Sequence, residues 1–356
     1  MNLLLKRNNA ANERFDLPSY PIDHVGTRAA FDIGSGKFKL LVADVYGKGR
    51  IEEKFSKIIR VDLAKDLAKS SDRTLSESIQ KKALTALKEL KNDAEAYGAT
   101  QFQGVATDVF RKAKNGEACL KSLRDQTKIP LKVVSQKEEG MIAFHAALAL
   151  APEIEENNMV VWDTGSSSFQ IVSKENNQYV VYEGPLGVVT TTKAFLEKVR
   201  GISYSEKEPI NPITLAESQK LAGIIRDKIV QPAWLKGCLS DSKKTVVCIG
   251  DSGSIFSIAA KAIGTNRFTL DQVRSAVQSH MGLSNENLMK FSSSSPQTIM
   301  IRLVLLSTVM ESFGIHEILF KESSGSTLGI LTSPRFWIQE DSKSKLLNFP
   351  FFSKRV

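Results

Sequence analysis

The feature that most constrains how this chain can fold is an internal repeat. The segment AAFDIGSGKFKLLVADV, beginning at Ala29, and the segment VVWDTGSSSFQIV, beginning at Val160, share an apolar run, a D-x-G-S turn and a second apolar run. Asp32 matches Asp163, Gly34 matches Gly165, Ser35 matches Ser166 and Phe38 matches Phe169. In the first copy Phe38, Leu40 and Val42 alternate with their neighbours, the period of a strand, so each copy reads as two antiparallel strands around a tight turn. One such turn arises easily by chance. Two in the same context, each opening a β-rich and then a helical stretch, predict an α/β fold of two similar halves facing each other across a cleft. A length of 356 residues suits two domains.

Periodicity fills in the halves. Ile79, Ala83, Leu84, Leu87, Leu90 and Ala94 recur at helical spacing and predict a helix from Leu75 to Ala96, after an extended segment near Ile58 to Leu63. FQGVAT reads as a strand, Arg111 to Gln126 as one helix, LKVVS as a short strand and Lys137 to Leu150 as another helix. In the second half TVVCIG is a buried strand, DSGS a turn into a helix from Ile255 to Ile263, and Thr269 to Met281 and Pro296 to Phe313 are helices. The polar, proline-marked APEIEENN sets the boundary. The expected division is an N-terminal arm over 1–26, a first domain over 27–152, a second over 153–332 and a tail over 333–356, where Phe349, Phe351 and Phe352 could dock.

Composition narrows the class. With 42% hydrophobic and 24% charged residues the chain is globular rather than disordered or collagenous. Cys119, Cys238 and Cys248 form no C-x-x-C pair, and with four histidines in all they argue against zinc and for free thiols in a reducing, cytoplasmic compartment. Three leucines before Lys6 and Arg7 are too few for an export signal, and the apolar stretch from Ile299 to Val309 is broken by Arg302, so no membrane partner is expected. A net charge of +9 favours a polyanionic partner without naming it.

A D-x-G-S turn couples a carboxylate to backbone N–H groups that a glycine can aim inward, a combination suited to a phosphate with a hard divalent cation such as magnesium. Asp32 and Asp163 are the candidate metal ligands. Each aspartate alone is an ordinary turn cap; paired across a cleft they point to function. GSGK at Gly34–Lys37 lacks the first glycine of a P-loop and has Phe38 at the Ser/Thr position, which excludes that motif. In ATDVFRKAKN, Thr107 and Arg111 could converge on one anion at a helix start. Glu138 and Glu139 open the next helix, where acidic residues commonly do no more than offset its dipole.

Taken together, AAFDIGSGKFKLLVADV, GVATDVFRKAKN, VVSQKEEGMIAF, VVWDTGSSSFQIV, GPLGVVTTTKAFL and CIGDSGSIFSIA resemble the exopolyphosphatase and guanosine pentaphosphate phosphatase (Ppx/GppA) family, over about residues 27 to 332. The ATxxxRxAxN block is the most specific element. The resemblance implies two actin-like, ribonuclease H-like domains and a cleft in which water attacks the terminal phosphorus of inorganic polyphosphate or guanosine pentaphosphate. It places the water-activating glutamate at Glu139, with Glu138 as its neighbour or a register alternative. Thr107 and Arg111 would grip phosphoryl oxygens. Gly34, Ser35, Gly36 and Lys37 would form the first phosphate loop, and Gly165, Ser166, Ser167 and Ser168 the second. Magnesium or another divalent cation would sit on Asp32 and Asp163. A cytoplasmic protein that takes polyphosphate or guanosine penta- and tetraphosphate, with no specific nucleic acid and a possible homodimer, follows from the same resemblance. The short tail implies limited processive grip on a long chain.

Departures from the pattern favour a second reading. The family's Asp-x-Gly-Gly-Gly-Ser-Thr-Glu loop is here Asp163 to Gln170, with two glycines and the terminal acid replaced. Gly36 and Lys37 stand for Asn-Ser, Gly253 and Ser254 for a Gly-Thr turn, SSSSPQTIM for an arginine-containing stretch, and Thr327 for a late arginine. A catalytically weakened protein that binds polyphosphate or alarmone as a sensor fits these changes. A sugar- or acetate-kinase-like enzyme of the same superfamily would share the aspartate loops but not the ATxxxRxAxN block.

Overall fold

The computed structural model describes residues 24–47, 50–205, 207–293 and 295–337. Most of the expected arm and tail, including Phe349, Phe351 and Phe352, lies outside them. The first half comprises β1 (His24–Ile33), β2 (Lys37–Tyr46), β3 (Ile51–Arg60), α1 (Leu63–Lys69), α2 (Glu77–Ala96), β4 (Gln101–Ala106), α3 (Asp108–Lys112), α4 (Gly116–Thr127), β5 (Leu131–Val133) and α5 (Gln136–Leu150). The second comprises β6 (Met159–Thr164), β7 (Phe169–Glu175), β8 (Gln178–Gly184), α6 (Val188–Ala194), α7 (Leu215–Arg226), α8 (Ala233–Leu239), β9 (Thr245–Gly250), α9 (Ile255–Ile263), β10 (Arg267–Thr269), α10 (Leu270–His280), α11 (Asn285–Leu288), α12 (Ile299–Phe313), β11 (Glu317–Glu322) and α13 (Ser326–Thr332).

The repeat extends to topology. The first sheet runs β3-β2-β1-β4-β5 and the second runs β10-β11-β9-β6-β7-β8. In each, a three-stranded antiparallel meander is followed by strands added parallel to its first member, β4 and β5 in one half, β9 and β11 in the other. The carboxyl ends of β1 and β6 therefore carry the two D-x-G-S turns to equivalent places in their sheets.

Two elements differ from expectation. β3 covers ten residues and pairs along β2, with partly buried Ile51, Phe55, Lys57 and Ile59 on one side and exposed, mostly charged residues between them. The helix expected from Arg111 to Gln126 is instead α3 and α4, separated at 113–115. Asn115 enforces the break: its Oδ1 accepts from Leu75 N at 2.8 Å and its Nδ2 donates to Leu75 O at 2.9 Å. A Cβ on Gly116 would lie 2.3 Å from Phe110 O, so no side chain fits where the chain doubles back. Among smaller differences, Pro296–Thr298 forms a 3-10 turn ahead of α12. Residues 334–336 form another, after which Trp337 donates to Ile330 O at 2.8 Å and packs under the Arg28 guanidinium.

Helices α2 and α4 cover one face of the first sheet through Leu87, Leu90, Leu120 and Leu123. The other face, with Ala30, Leu41, Ala43 and Val105, is covered by Ile330 and Leu331 of α13, the last helix of the second half. Reciprocally, α5 lays Ala143, Phe144 and Ala147 on Val161, Val172 and Ile249 of the second sheet. The chain thus exchanges helices across the boundary expected near 152. The two cross closely: a Cβ on Gly329 would lie 2.0 Å from Ile142 O.

Candidate active site

The two turns meet. A Cβ on Gly36 would fall 2.3 Å from Ser166 Oγ, so the tips of the loops touch, and a cavity opens beneath them between the sheets. Its walls include Asp32, Gly34, Ser35, Gly36, Lys37, Thr107, Glu139, Asp163, Gly165, Ser166, Ser167 and Ser168. Arg111 alone of the expected site residues is not on the wall.

Local bonding explains each placement. In the first loop Gly34 N donates to Lys37 O at 3.1 Å, and a Cβ on Gly34 would lie 2.8 Å from that oxygen. Ser35 Oγ accepts from Val109 N at 3.1 Å, so the start of the five-residue α3 is already capped by this serine rather than free for an anion. In the second loop Gly165 N donates to Ser168 O at 2.9 Å and Val189 N to Ser166 O at 2.7 Å, which fixes the serines against the start of α6.

The two glutamates separate by role. Glu138 closes a capping box with Ser135 and accepts from Arg335 at 2.7 Å, away from the cavity wall. Glu139 is 9% exposed and faces the cavity. Its Oε1 accepts from Arg111 and its Oε2 from Gln170 Nε2 at 3.4 Å. Burial drives its pKa up to about 8 despite the Arg111 guanidinium. Arg111 also donates to Val134 O and lies 3.4 Å from Asp108 Oδ1, so it braces the glutamate where the sequence predicts a phosphate grip.

Four cavity residues escaped the sequence reading. Lys39 pairs in register with Asp32 on β1 and β2, and its ammonium stands 3.9 Å from both Asp32 Oδ2 and Asp251 Oδ2. Burial presses its pKa down, but Asp32, Asp251 and Asp163 outweigh this and hold it above the usual lysine value. Asp251, at the third D-x-G-S of the chain, accepts from Lys37 Nζ at 2.6 Å across the cleft and from Gly253 N at 2.8 Å. Despite burial, which raises it, Lys39, Lys37 and the Gly253 amide leave Asp251 below the ordinary carboxylate range. Arg302 on α12 donates to Gly253 O and to Thr298 Oγ1 at 3.1 Å, with its pKa lowered to about 10 by burial. Asp108, beside Arg111, is the fourth. Signals existed: Lys39 is a charge inside an otherwise apolar strand, Arg302 a charge inside an apolar helix, and DSGS a third copy of the turn.

Asp32 and Asp163 are raised by burial, Asp163 to about 6, with Lys39 opposing in both. Asp32 Oδ1 is buried with no hydrogen-bond partner, an oxygen available to a cation. Among the described residues no three acidic, histidine or cysteine side chains are grouped to cage a metal. The donor set therefore fits magnesium, which takes one or two carboxylates and fills its sphere with water and substrate phosphate, rather than an ion held wholly by protein.

A profile of the Ppx/GppA phosphatase family matches residues 42–326. The chain belongs to that family, whose phosphatases define the class of this fold and cleft. Its two-domain architecture is that of an Aquifex aeolicus Ppx/GppA family member, which superposes with a TM-score of 0.66 at 20% identity over 87% of this chain and 97% of that one. An exopolyphosphatase from Cytophaga hutchinsonii superposes with 0.68 at 12% identity, over 88% and 99%. In sequence, a bifunctional 3-dehydroquinate synthase/phosphatase of Fusobacterium nucleatum is 27% identical over 192 residues, 51% of this chain but 28% of that protein's length. Among the described residues no helix is long and apolar enough to cross a membrane.

Proposed function

We propose that this chain is a magnesium-dependent phosphohydrolase that releases terminal phosphate from inorganic polyphosphate, with guanosine pentaphosphate as the alternative substrate. One observation carries the reading: Glu139 is buried in the cleft beside both phosphate loops, with one oxygen held by Arg111 and the other by Gln170. A carboxylate whose pKa is pushed up to about 8 is a stronger base than a solvent-exposed one once it is ionised. Glu139 takes the proton from water as the water oxygen bonds to the terminal phosphorus and the bridging P–O bond breaks, leaving that oxygen on the departing chain. Ser35, Thr107 and Ser166 to Ser168 line the space for phosphoryl oxygens, and Lys37, Lys39 and Arg302 offset their charge. Asp32 and Asp163 would hold magnesium, which supplies charge neutralisation of the phosphates. Such reactions depend on positioning and electrostatics more than on covalent chemistry.

Incubating the protein with magnesium and either substrate, beside Glu139→Ala, tests this. Phosphate release that drops by roughly 100-fold or more in the variant supports the assignment of the base. Release that persists at the parental rate removes it.

The sensor reading rests on a specific contact. Gln170 supplies an amide where the resemblance expects a carboxylate, and Lys37–Asp251 ties the two halves together. Tight ligand binding with no release by the parent protein would favour it.

A further inference from the structure

Beyond the catalytic cavity, a second groove continues outward over the 251–254 turn. It shares Lys37, Gly253 and Ser292 with the inner cavity, so the two are continuous. Their chemistry differs. The inner wall carries six carboxylates, Asp32, Asp62, Asp108, Glu139, Asp163 and Asp251, whereas the outer groove is lined by three lysines, Lys37, Lys261 and Lys290, with serine hydroxyls and no carboxylate. Among the described residues no carboxylate pairs with Lys261 or Lys290. Lys261 Nζ is anchored only to Ser252 O at 3.1 Å, and Lys290 lies 5.0 Å over the Phe291 ring. The Phe291 ring also meets His280, tilted at 64° with ring centroids 4.5 Å apart, and packs against the core of the second half.

We propose that this outer groove binds the distal phosphates of a linear polyphosphate whose end occupies the inner cavity. The inference rests on the phosphohydrolase reading and sharpens its substrate toward the longer polyanion. The ammonium groups of Lys261 and Lys290, paired with no carboxylate among the described residues, and the serine hydroxyls beside them form a surface that attracts a repeating anion and makes few demands on its register. Lys37, at the junction, is shared by both subsites and faces Asp251 until a phosphate competes for it. The groove supplies a hold on a longer chain that the sequence reading does not expect.

The test uses the full chain carrying Glu139→Gln, so that binding is read without turnover, with and without Lys261→Ala plus Lys290→Ala. Both lysines are exposed, and an unchanged melting temperature checks the fold. The probes are tripolyphosphate, long-chain polyphosphate and guanosine pentaphosphate. The expected result is roughly fivefold or greater weakening for the long chain, with tripolyphosphate held as before. The slope of log affinity against log salt for the long chain should flatten by about 1.4, taking ~0.7 per cation as for single-stranded nucleic acid. Equal losses for all three ligands, or a loss confined to guanosine pentaphosphate, overturn the groove. So does unchanged long-chain binding, which leaves the phosphohydrolase reading standing. If the protein with both lysines intact binds no polyphosphate of any length, the polyphosphate reading falls and the groove with it.

Discussion

The two D-x-G-S loops occupy the same place in their sheets and have taken different chemical parts. In the first, Asp32 is paired in register with Lys39; in the second, Asp163 is paired with Gln170. The position after the conserved-looking phenylalanine thus carries a cation in one half and an amide in the other. Lys39 offsets the charge of Asp32, Asp163 and Asp251, while Gln170 turns to Glu139. The backbones differ too. Gly34 has no room for a side chain, since its Cβ would lie 2.8 Å from Lys37 O, whereas a Cβ on Gly165 would sit at an ordinary 3.5 Å from Ser168 O. The repeat places both aspartates alike, and the residues opposite them differ in what they do: Lys39 offsets the charge of the cleft carboxylates and Gln170 holds Glu139.

The sharpest way to break this contrast is to remove each opposing residue. Lys39→Ala leaves three cleft carboxylates without their shared ammonium and should cost about 3 kcal/mol, the scale for breaking a buried ion pair from one side. Gln170→Ala removes one long hydrogen bond and should cost about 1 kcal/mol. Equal losses in urea unfolding would mean that the two positions are not differently employed.

Titration examines Glu139 itself. Glu139 is raised to about 8 from 4.5, so between those values the folded state holds a proton that the unfolded state has released. Stability contributed by this group therefore falls as pH rises through that window, by a few kcal/mol at most. Glu139→Gln should melt with a flatter pH dependence and gain most on the parent near pH 8; a parallel profile would place the proton elsewhere. The glycine comparison tests the backbones: Gly34→Ala should cost roughly 1–3 kcal/mol by forcing the hairpin open, and Gly165→Ala, the smallest effect, within about 0.5 kcal/mol. A reversal of that order would show the second loop to be the tighter.

Much of this was legible because hairpins and amphipathic helices are local, and because the repeat disclosed its own symmetry. The loops and Thr107 came from the pattern and Glu139 from the family resemblance, and all of them line one cavity. What stayed hidden depends on partners distant in sequence. The break after Lys112 follows from Asn115 reaching Leu75, and β3 from pairing along β2 that its charged residues mask. Lys39, Asp251 and Arg302 read as stray charges until register and helix packing brought them to one place. Arg111 was legible as important but not in direction, because its partner Glu139 comes from another helix.

The exchange of α5 and α13 sets how the molecule can be taken apart. A nick between Leu150 and Met159 would not yield two self-sufficient pieces. The N-terminal fragment would keep a helix that lies mainly on the other sheet while Ala30, Leu41 and Val105 lost the cover of Ile330 and Leu331, and the C-terminal fragment would carry that missing cover. The fragments would be each other's best solvent, and reassembly of the whole would be the way for either to bury its apolar face.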